Sequence, residues 1–296
     1  MLIGAAALKE ITKPMNRVLH GIERGMIHSQ YVETKVIRNY SGLNDQKTEY
    51  WLRKAHKLDL IRRWTGHFVG YELTIHGYDA LALNALYMKD KIREIGMEKG
   101  TGKESVVYYV LDSKGAEALL KFHRVGYTSF QHVRKKRRYT STKNHMSPLY
   151  ASRLSAEAEV RWLKLAAKHN LSVPKLYAQN RHIIMMENIK GYDLNLVNEI
   201  DEPDYVYDQI LDFIKSAWDI GFIHADLSEF NIIISSDAKI TVIDFPQAEP
   251  VNHPNAEELL ERDITNTTNY FKRKFGINSD VEAIKASIVG GKEMDY

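Results

Sequence analysis

Ile223-His224-Ala225-Asp226-Leu227-Ser228-Glu229-Phe230-Asn231 is the stretch on which the reading turns. It places an Asp and, five residues on, an Asn between apolar segments, just before a predicted β-hairpin of Asn231 to Ser235 and Lys239 to Ile243. Ile243-Asp244-Phe245 closes that hairpin. A carboxylate at Asp226 can orient an attacking hydroxyl and take its proton, while Asn231 and Asp244 supply hard oxygen ligands for a divalent cation. Composition narrows the chemistry to this type. The chain contains no cysteine, which excludes disulfides, thiolate nucleophiles and every Cys-based zinc or iron–sulfur site. Its 12 His form no H-E-x-x-H cluster, so an oxygen-bound ion remains, magnesium by default with manganese as the variant.

The frame His-x-Asp followed by Asn, with Asp-Phe beyond a hairpin, is similar to the catalytic loop and metal-binding Asp-Phe-Gly of protein kinases. Other parts fall upstream in the matching order. Gly100-Thr101-Gly102-Lys103-Glu104-Ser105 forms a G-x-G-x-x-S turn between two predicted strands, Ile92 to Gly96 and Val106 to Leu111, where backbone N–H groups and a hydroxyl can cradle phosphates. It is no Walker A loop, because Met97 and Glu104 stand where Gly and Ser or Thr are required. Ala118-Leu119-Leu120-Lys121, within the predicted strand Ala116 to Phe122, resembles the kinase strand whose Lys touches the α/β-phosphates. Its expected partner is a Glu on the helix predicted over Ala151 to His169. Glu159 is preferred to Glu157 because Leu163 completes the Glu-x-x-x-Leu frame.

Charge divides the chain. Residues 1–90 carry 13 Lys/Arg against 9 Asp/Glu, and 9 bases with no acid lie between Glu117 and Glu157, centred on Arg134-Lys135-Lys136-Arg137-Arg138. Residues 185–263 reverse this, with 18 acids against 4 bases. A basic front and an acidic rear suit an oriented contact with a polyanion. In the front, helical periodicity over Ile11 to Arg24, Val32 to Tyr40 and Asp45 to Leu58 precedes two short strands at Leu60 to Trp64 and Gly70 to Leu73. Thr74 then caps an apolar helix through Ala80 to Met88. That order resembles a winged helix, as does the junction Leu73-Thr74-Ile75-His76-Gly77. Further helices are predicted around Val206 to Ala217 and over Asn255 to Tyr296, with a strand at Ile183 to Glu187. The apolar stretch Met1 to Leu8 is too short to span a bilayer and lacks a signal peptide's basic start, so a cytoplasmic protein without membrane contact is expected.

After Asp244 there is no Ala-Pro-Glu, and Ala225 replaces the Arg of the kinase His-Arg-Asp. This shortened pattern resembles the RIO family of atypical protein kinases, through Gly102-Lys103-Glu104-Ser105, the loop His224 to Asn231, and Asp244-Phe245-Pro246-Gln247. The winged helix points to the type-two subfamily, and the short tail resembles its archaeal members. The expected fold is α+β. A winged helix over 1–90 precedes a truncated bilobal kinase-like domain over 91–296, lacking the activation segment and peptide-binding helices. Its N-lobe is at about 91–187 and its C-lobe at about 188–296.

The resemblance implies ATP and magnesium as ligands. Asp226, Asn231 and Asp244 would be catalytic, and Asn231 and Asp244 would hold the metal. Gly102, Lys103, Glu104, Ser105, Val107, Lys121 and Glu159 would hold the nucleotide, and the backbone of Glu187 and Ile189 the adenine. It also implies autophosphorylation on Ser, with Thr128, Ser129, Thr140, Ser141 and Thr142 in the basic loop, and a part in small ribosomal subunit maturation. The winged helix and the loop 126–148 would then contact ribosomal RNA, where phosphate neutralisation supplies affinity. Because carboxylates serve as nucleophiles in ATPases, Asp244 itself is a candidate for phosphorylation. Two other readings stay open on the residues alone: a winged-helix DNA-binding regulator that senses ATP, and a small-molecule phosphotransferase of the antibiotic-kinase type.

Overall fold

The computed structural model describes residues 10–126 and 147–290. The described residues form two compact units, one built from the chain up to Ala156 together with Ala178–Met185, the other from Glu157–Tyr177 and the chain from Met186. The basic run Arg134 to Arg138 and the phosphoacceptor candidates Thr128, Ser129, Thr140, Ser141 and Thr142 lie outside the described residues.

In the first unit, α1 (Lys13–Gly25) puts Met15, Val18, Leu19 and Ile22 on one buried stripe at helical spacing. It packs with α2 (Thr34–Ser41) and α3 (Asp45–Lys57). Asn44 caps α3 by accepting a hydrogen bond from the Lys47 amide at 2.9 Å. The antiparallel sheet β1-β3-β2 follows, from Val32–Glu33, Val69–Leu73 and Ile61–Thr65. The helix expected from Val32 therefore starts two residues later. Val32 instead pairs with Tyr71, and its side chain fills the notch at Gly25, where a Cβ would lie 2.3 Å from a Val32 methyl. α4 (Ile75–Met88) is capped as expected by Thr74, which accepts from the Gly77 amide at 3.1 Å. Gly77 is obligatory, because a Cβ there would sit 1.9 Å from the Leu60 carbonyl oxygen. Helices, wing and closing helix together make a winged helix.

A five-stranded sheet, order β4-β5-β6-β8-β7, completes this unit, from Ile92–Thr101, Ser105–Asp112, Glu117–His123, Ile183–Glu187 and Leu176–Asn180. β4 is longer than its expected Ile92 to Gly96 and runs through Gly100 and Thr101, so the turn is confined to Gly102-Lys103-Glu104. β7 escapes a reading by periodicity, since Leu176 to Asn180 is short and only partly apolar. Alternation along β5 and β6 sorts the sheet's faces. Val110, Ala118, Leu120 and Phe122 pack with Ala82, Leu83 and Leu86 of α4, whereas Ser105, Val107 and Lys121 take the other face.

The joint between α4 and the sheet is ionic. Asp79, 1% exposed, accepts from Arg124 at 2.8 Å and meets His182 Nε2 at 2.8 Å. A second joint has Arg181 bidentate on Glu23, both contacts at 2.6 Å, with His20 beside them. Burial brings His182 down to about 4, against the opposing pull of Asp79. Burial works against the charge on Glu23, but hydrogen bonds from His20 and Arg181 outweigh it and bring that carboxyl down to about 2.

The second unit is organised around one core, with Trp162, Leu163 and Ala166 from α5 (Pro148–Lys168) and Ile210, Phe213 and Ala217 from α6 (Pro203–Ile220). The expected hairpin is shorter, β11 (Ile232–Ile234) with β12 (Ile240–Val242), and gains β9 (Tyr192–Asp193) as a third strand. β10 (Phe222–Ile223) pairs with β13 (Glu249–Pro250). The helical tail divides into α7 (Ala256–Phe275) and α8 (Val281–Gly290), because Gly276 takes a left-handed φ of 74° and ends α7.

Two outcomes follow for stability. Asp79→Ala strands Arg124 and should cost about 3–5 kcal/mol in urea unfolding, against at most about 1 kcal/mol for Asp45→Ala in the exposed pair with Arg38. A depressed folded value at His182 means that the unfolded chain takes the proton first. Stability should therefore drop as pH falls from about 6.5 to about 4 and drop further between 4.5 and about 2 through Glu23. His182→Gln should flatten only the upper window.

Candidate active site

The loop 223–231 leaves β10 and enters β11 through a 3-10 turn at Glu229–Asn231. His224 is buried, and its Nε2 lies 3.0 Å from the Ile243 carbonyl oxygen while its ring packs on Phe245 at 4.8 Å. Ala225 adopts a left-handed φ of 62°, a conformation that costs a residue with a Cβ. What holds it is Asp263 on α7. One carboxylate oxygen accepts from the Ala225 amide at 2.7 Å, the other from the Leu227 amide at 2.9 Å. Arg262 donates to the Ala225 carbonyl and Asn266 to that of Leu227. The two amides gripped by Asp263 flank Asp226, which stands exposed between them. Burial drives Asp263 up to about 7, against the two amide bonds and Arg262.

The metal-binding pair expected from sequence is brought together with Asp226. Asn231 donates its side-chain N–H to the Asp226 carbonyl at 2.8 Å, which leaves its amide oxygen as the candidate ligand atom. The Ile243 amide donates to the Asn231 carbonyl at 2.9 Å, setting Asp244 beside the loop with a left-handed φ of 70°. Phe245 anchors it, fully buried against Phe213, Phe222 and His224. Among the described residues no group of three His, Cys, Asp or Glu is placed to hold a metal alone. Two oxygen donors completed by phosphates match the way magnesium binds with nucleotides, so the donor set fits that ion.

In the first unit, Val107 pairs with Lys121 across β5 and β6, and Ser105 pairs with His123. Lys121 is buried. The Gly102 amide donates to the Ser105 carbonyl at 2.8 Å, and the Arg124 amide donates to the Glu104 carbonyl at 2.6 Å. Lys103 is exposed at the tip. Of the two helix carboxylates in the second unit, Glu159 is buried and Glu157 half-buried. At the end of β8, the Glu187 amide donates to the Lys175 carbonyl at 2.9 Å, and Ile189, two residues on, is half-buried.

Sequence reading missed Asp263, Arg262 and Asn266. A signal existed, since Asp263 falls on the buried stripe of Leu260, Ile264, Thr267 and Phe271, where a carboxylate needs a task.

The fold and this loop define a kinase-like phosphotransferase with a winged helix ahead of it. Residues 106–284 match the RIO domain family, and residues 8–89 match the family described as Rio2, N-terminal. The chain belongs to the RIO family of serine/threonine kinases, in its Rio2 branch. It is 39% identical over 264 residues to the RIO-type serine/threonine-protein kinase Rio2 of Methanocaldococcus jannaschii, covering 88% of this chain and 96% of that one. It is 37% identical over 265 residues to the serine/threonine-protein kinase RIO2 of Caenorhabditis elegans, covering 89% of this chain and half (50%) of that one. The crystal structure of the Rio2 kinase–ADP/Mg2+–phosphoaspartate complex from Chaetomium thermophilum superposes with a TM-score of 0.83 at 27% identity, covering 97% of this chain and 93% of that one.

Asp263→Asn keeps one acceptor but turns an NH2 toward an amide N–H. Turnover should fall about a hundred-fold, the cost of roughly 1 Å of misplacement at a catalytic group. The KM for ATP should stay within about two-fold of wild type, because no nucleotide ligand is removed. Steady-state kinetics with a melting curve on the same sample checks this.

Proposed function

We propose that this chain is an ATP-dependent serine/threonine kinase and ATPase that works in maturation of the small ribosomal subunit, held on its RNA by the winged helix and the basic stretch 126–148. The observation that carries the catalytic half is the bond from the Asn231 side chain to the Asp226 carbonyl, which aims the amide oxygen outward as a ligand. The Rio2 names of its relatives and the ADP and Mg2+ in the Chaetomium complex support the choice of nucleotide and ion.

In this reading Lys121 and the turn Gly102 to Ser105 take the phosphates, while the Glu187 carbonyl and Ile189 amide take the adenine. Asn231 and Asp244 hold magnesium. When bound, the ion neutralises charge that builds on the phosphates. Asp226 accepts the proton of the attacking hydroxyl or water. The phosphoaspartate in the Chaetomium structure favours a covalent route here too. A carboxylate oxygen of Asp244 attacks the γ-phosphorus, the bond to ADP breaks, and an aspartyl phosphate forms. Water that has given its proton to Asp226 then cleaves it, returning Asp244 and inorganic phosphate. Autophosphorylation falls on a serine, with the basic stretch that carries Thr128, Ser129, Thr140, Ser141 and Thr142 as its proposed location.

The test is phosphate release from Mg-ATP at fixed salt, with and without small-subunit ribosomal RNA. Asp226→Asn should lose about 10²–10⁴ in rate, the range for a positioned general base. The wild-type rate should change when RNA is added. Turnover equal in wild type and Asp226→Asn would overturn the assignment.

A further inference from the structure

The wing of the winged helix carries an aromatic cluster that does nothing for the core. Tyr31 stacks on Trp64 with centroids 5.4 Å apart and planes at 17°, and Trp64 meets Phe68 at 4.9 Å. None of the three rings belongs to the winged-helix core of described residues or packs against it, whereas Trp51 does. Phe68 is 37% exposed at the tip.

The backbone is shaped to accept these rings. Trp64 pairs across the hairpin with Gly70, where a Cβ would lie 2.8 Å from both Phe68 and Tyr31. At the turn, a Cβ on Gly66 would lie 2.2 Å from the Trp64 ring. Cations accompany the rings. Arg62 lies on the Trp64 face of β2 and its guanidinium neutralises Glu72 at 3.0 Å, while Arg63 is exposed on the opposite face of the strand and His67 is exposed at the turn. Aromatic rings and an exposed guanidinium carried by the same projecting hairpin match the chemistry of an unpaired nucleotide, a π-face for stacking and a phosphate for the cation. A base locked in a duplex offers no such face.

We propose that the wing, through Trp64, Phe68 and Tyr31 with Arg63 and His67, is a stacking site for unpaired bases of RNA. The inference rests on the ribosomal-RNA reading above and sharpens it. The wing reads single-stranded loops, and duplex segments do not use these rings.

The experiment uses the full chain with a dye-labelled stem–loop RNA carrying 2-aminopurine in its loop, and the same RNA closed by its complement. Phe68→Ala should weaken stem–loop binding about ten-fold, within the range for losing one base stack, and abolish the 2-aminopurine quench. Arg63→Ala leaves the rings intact and should lower the salt slope by about one. Both variants should match wild type on the duplex and in thermal melting. Equal wild-type affinity for loop and duplex, or Phe68→Ala binding like wild type, would overturn the wing assignment while leaving RNA binding intact. No RNA binding by wild type that still releases phosphate through Asp226 would remove the RNA reading itself.

Discussion

The buried carboxylate of Asp263 is the constraint on which the catalytic centre rests. Both its oxygens are spent on backbone amides two residues apart, with Asp226 between them. The grip also stabilises Ala225 at a positive φ, a conformation that costs of order 1–3 kcal/mol when nothing over-determines it. Asp244 repeats the pattern at φ 70°, fixed by the neighbouring Ile243 amide, which donates to the Asn231 carbonyl, and by Phe245 in the core. Two of the seven non-glycine residues at positive φ among the described residues therefore flank the candidate site, and the helix and core around them stabilise it.

The first unit solves a different problem, joining a winged helix to a sheet. Apolar packing of α4 covers one face of β5 and β6, and the polar work is given to Asp79. The Arg124 guanidinium that neutralises Asp79 belongs to a residue whose amide holds the Glu104 carbonyl of the glycine turn. One short path of bonds therefore runs from the closing helix of the winged helix to the turn proposed for phosphates. A buried pair of this kind adds little net stability over apolar packing but fixes one arrangement strongly, because either partner alone is costly.

Much of this was legible from local chemistry. Thr74 caps α4 as its position before an apolar run indicates, and the strands of the wing fall on either side of the turn that holds Gly66, within a residue of where they are expected. The loop from His224 to Asn231 was readable because its Asp and Asn keep the spacing of a kinase catalytic loop ahead of a hairpin. What escaped depends on distant partners. Val32 looks helical until Gly25 supplies the notch that holds it extended. Leu176 to Asn180 has no strand signal of its own and is stabilised by its neighbour in the sheet. Asp79, Arg124 and His182 lie far apart along the chain, and no spacing rule joins them. Asp263 was the exception, a polar residue on an apolar stripe whose meaning could have been read.

The most direct measurement is a single turnover with γ-labelled ATP, quenched in acid and split between hydroxylamine and buffer. Wild-type protein should carry label that hydroxylamine releases, as it does an acyl phosphate, with none of that labile fraction in Asp244→Ala. Hydroxylamine-sensitive label that persists in Asp244→Ala, or wild-type label wholly stable to hydroxylamine while phosphate is still released, would contradict the covalent role of Asp244.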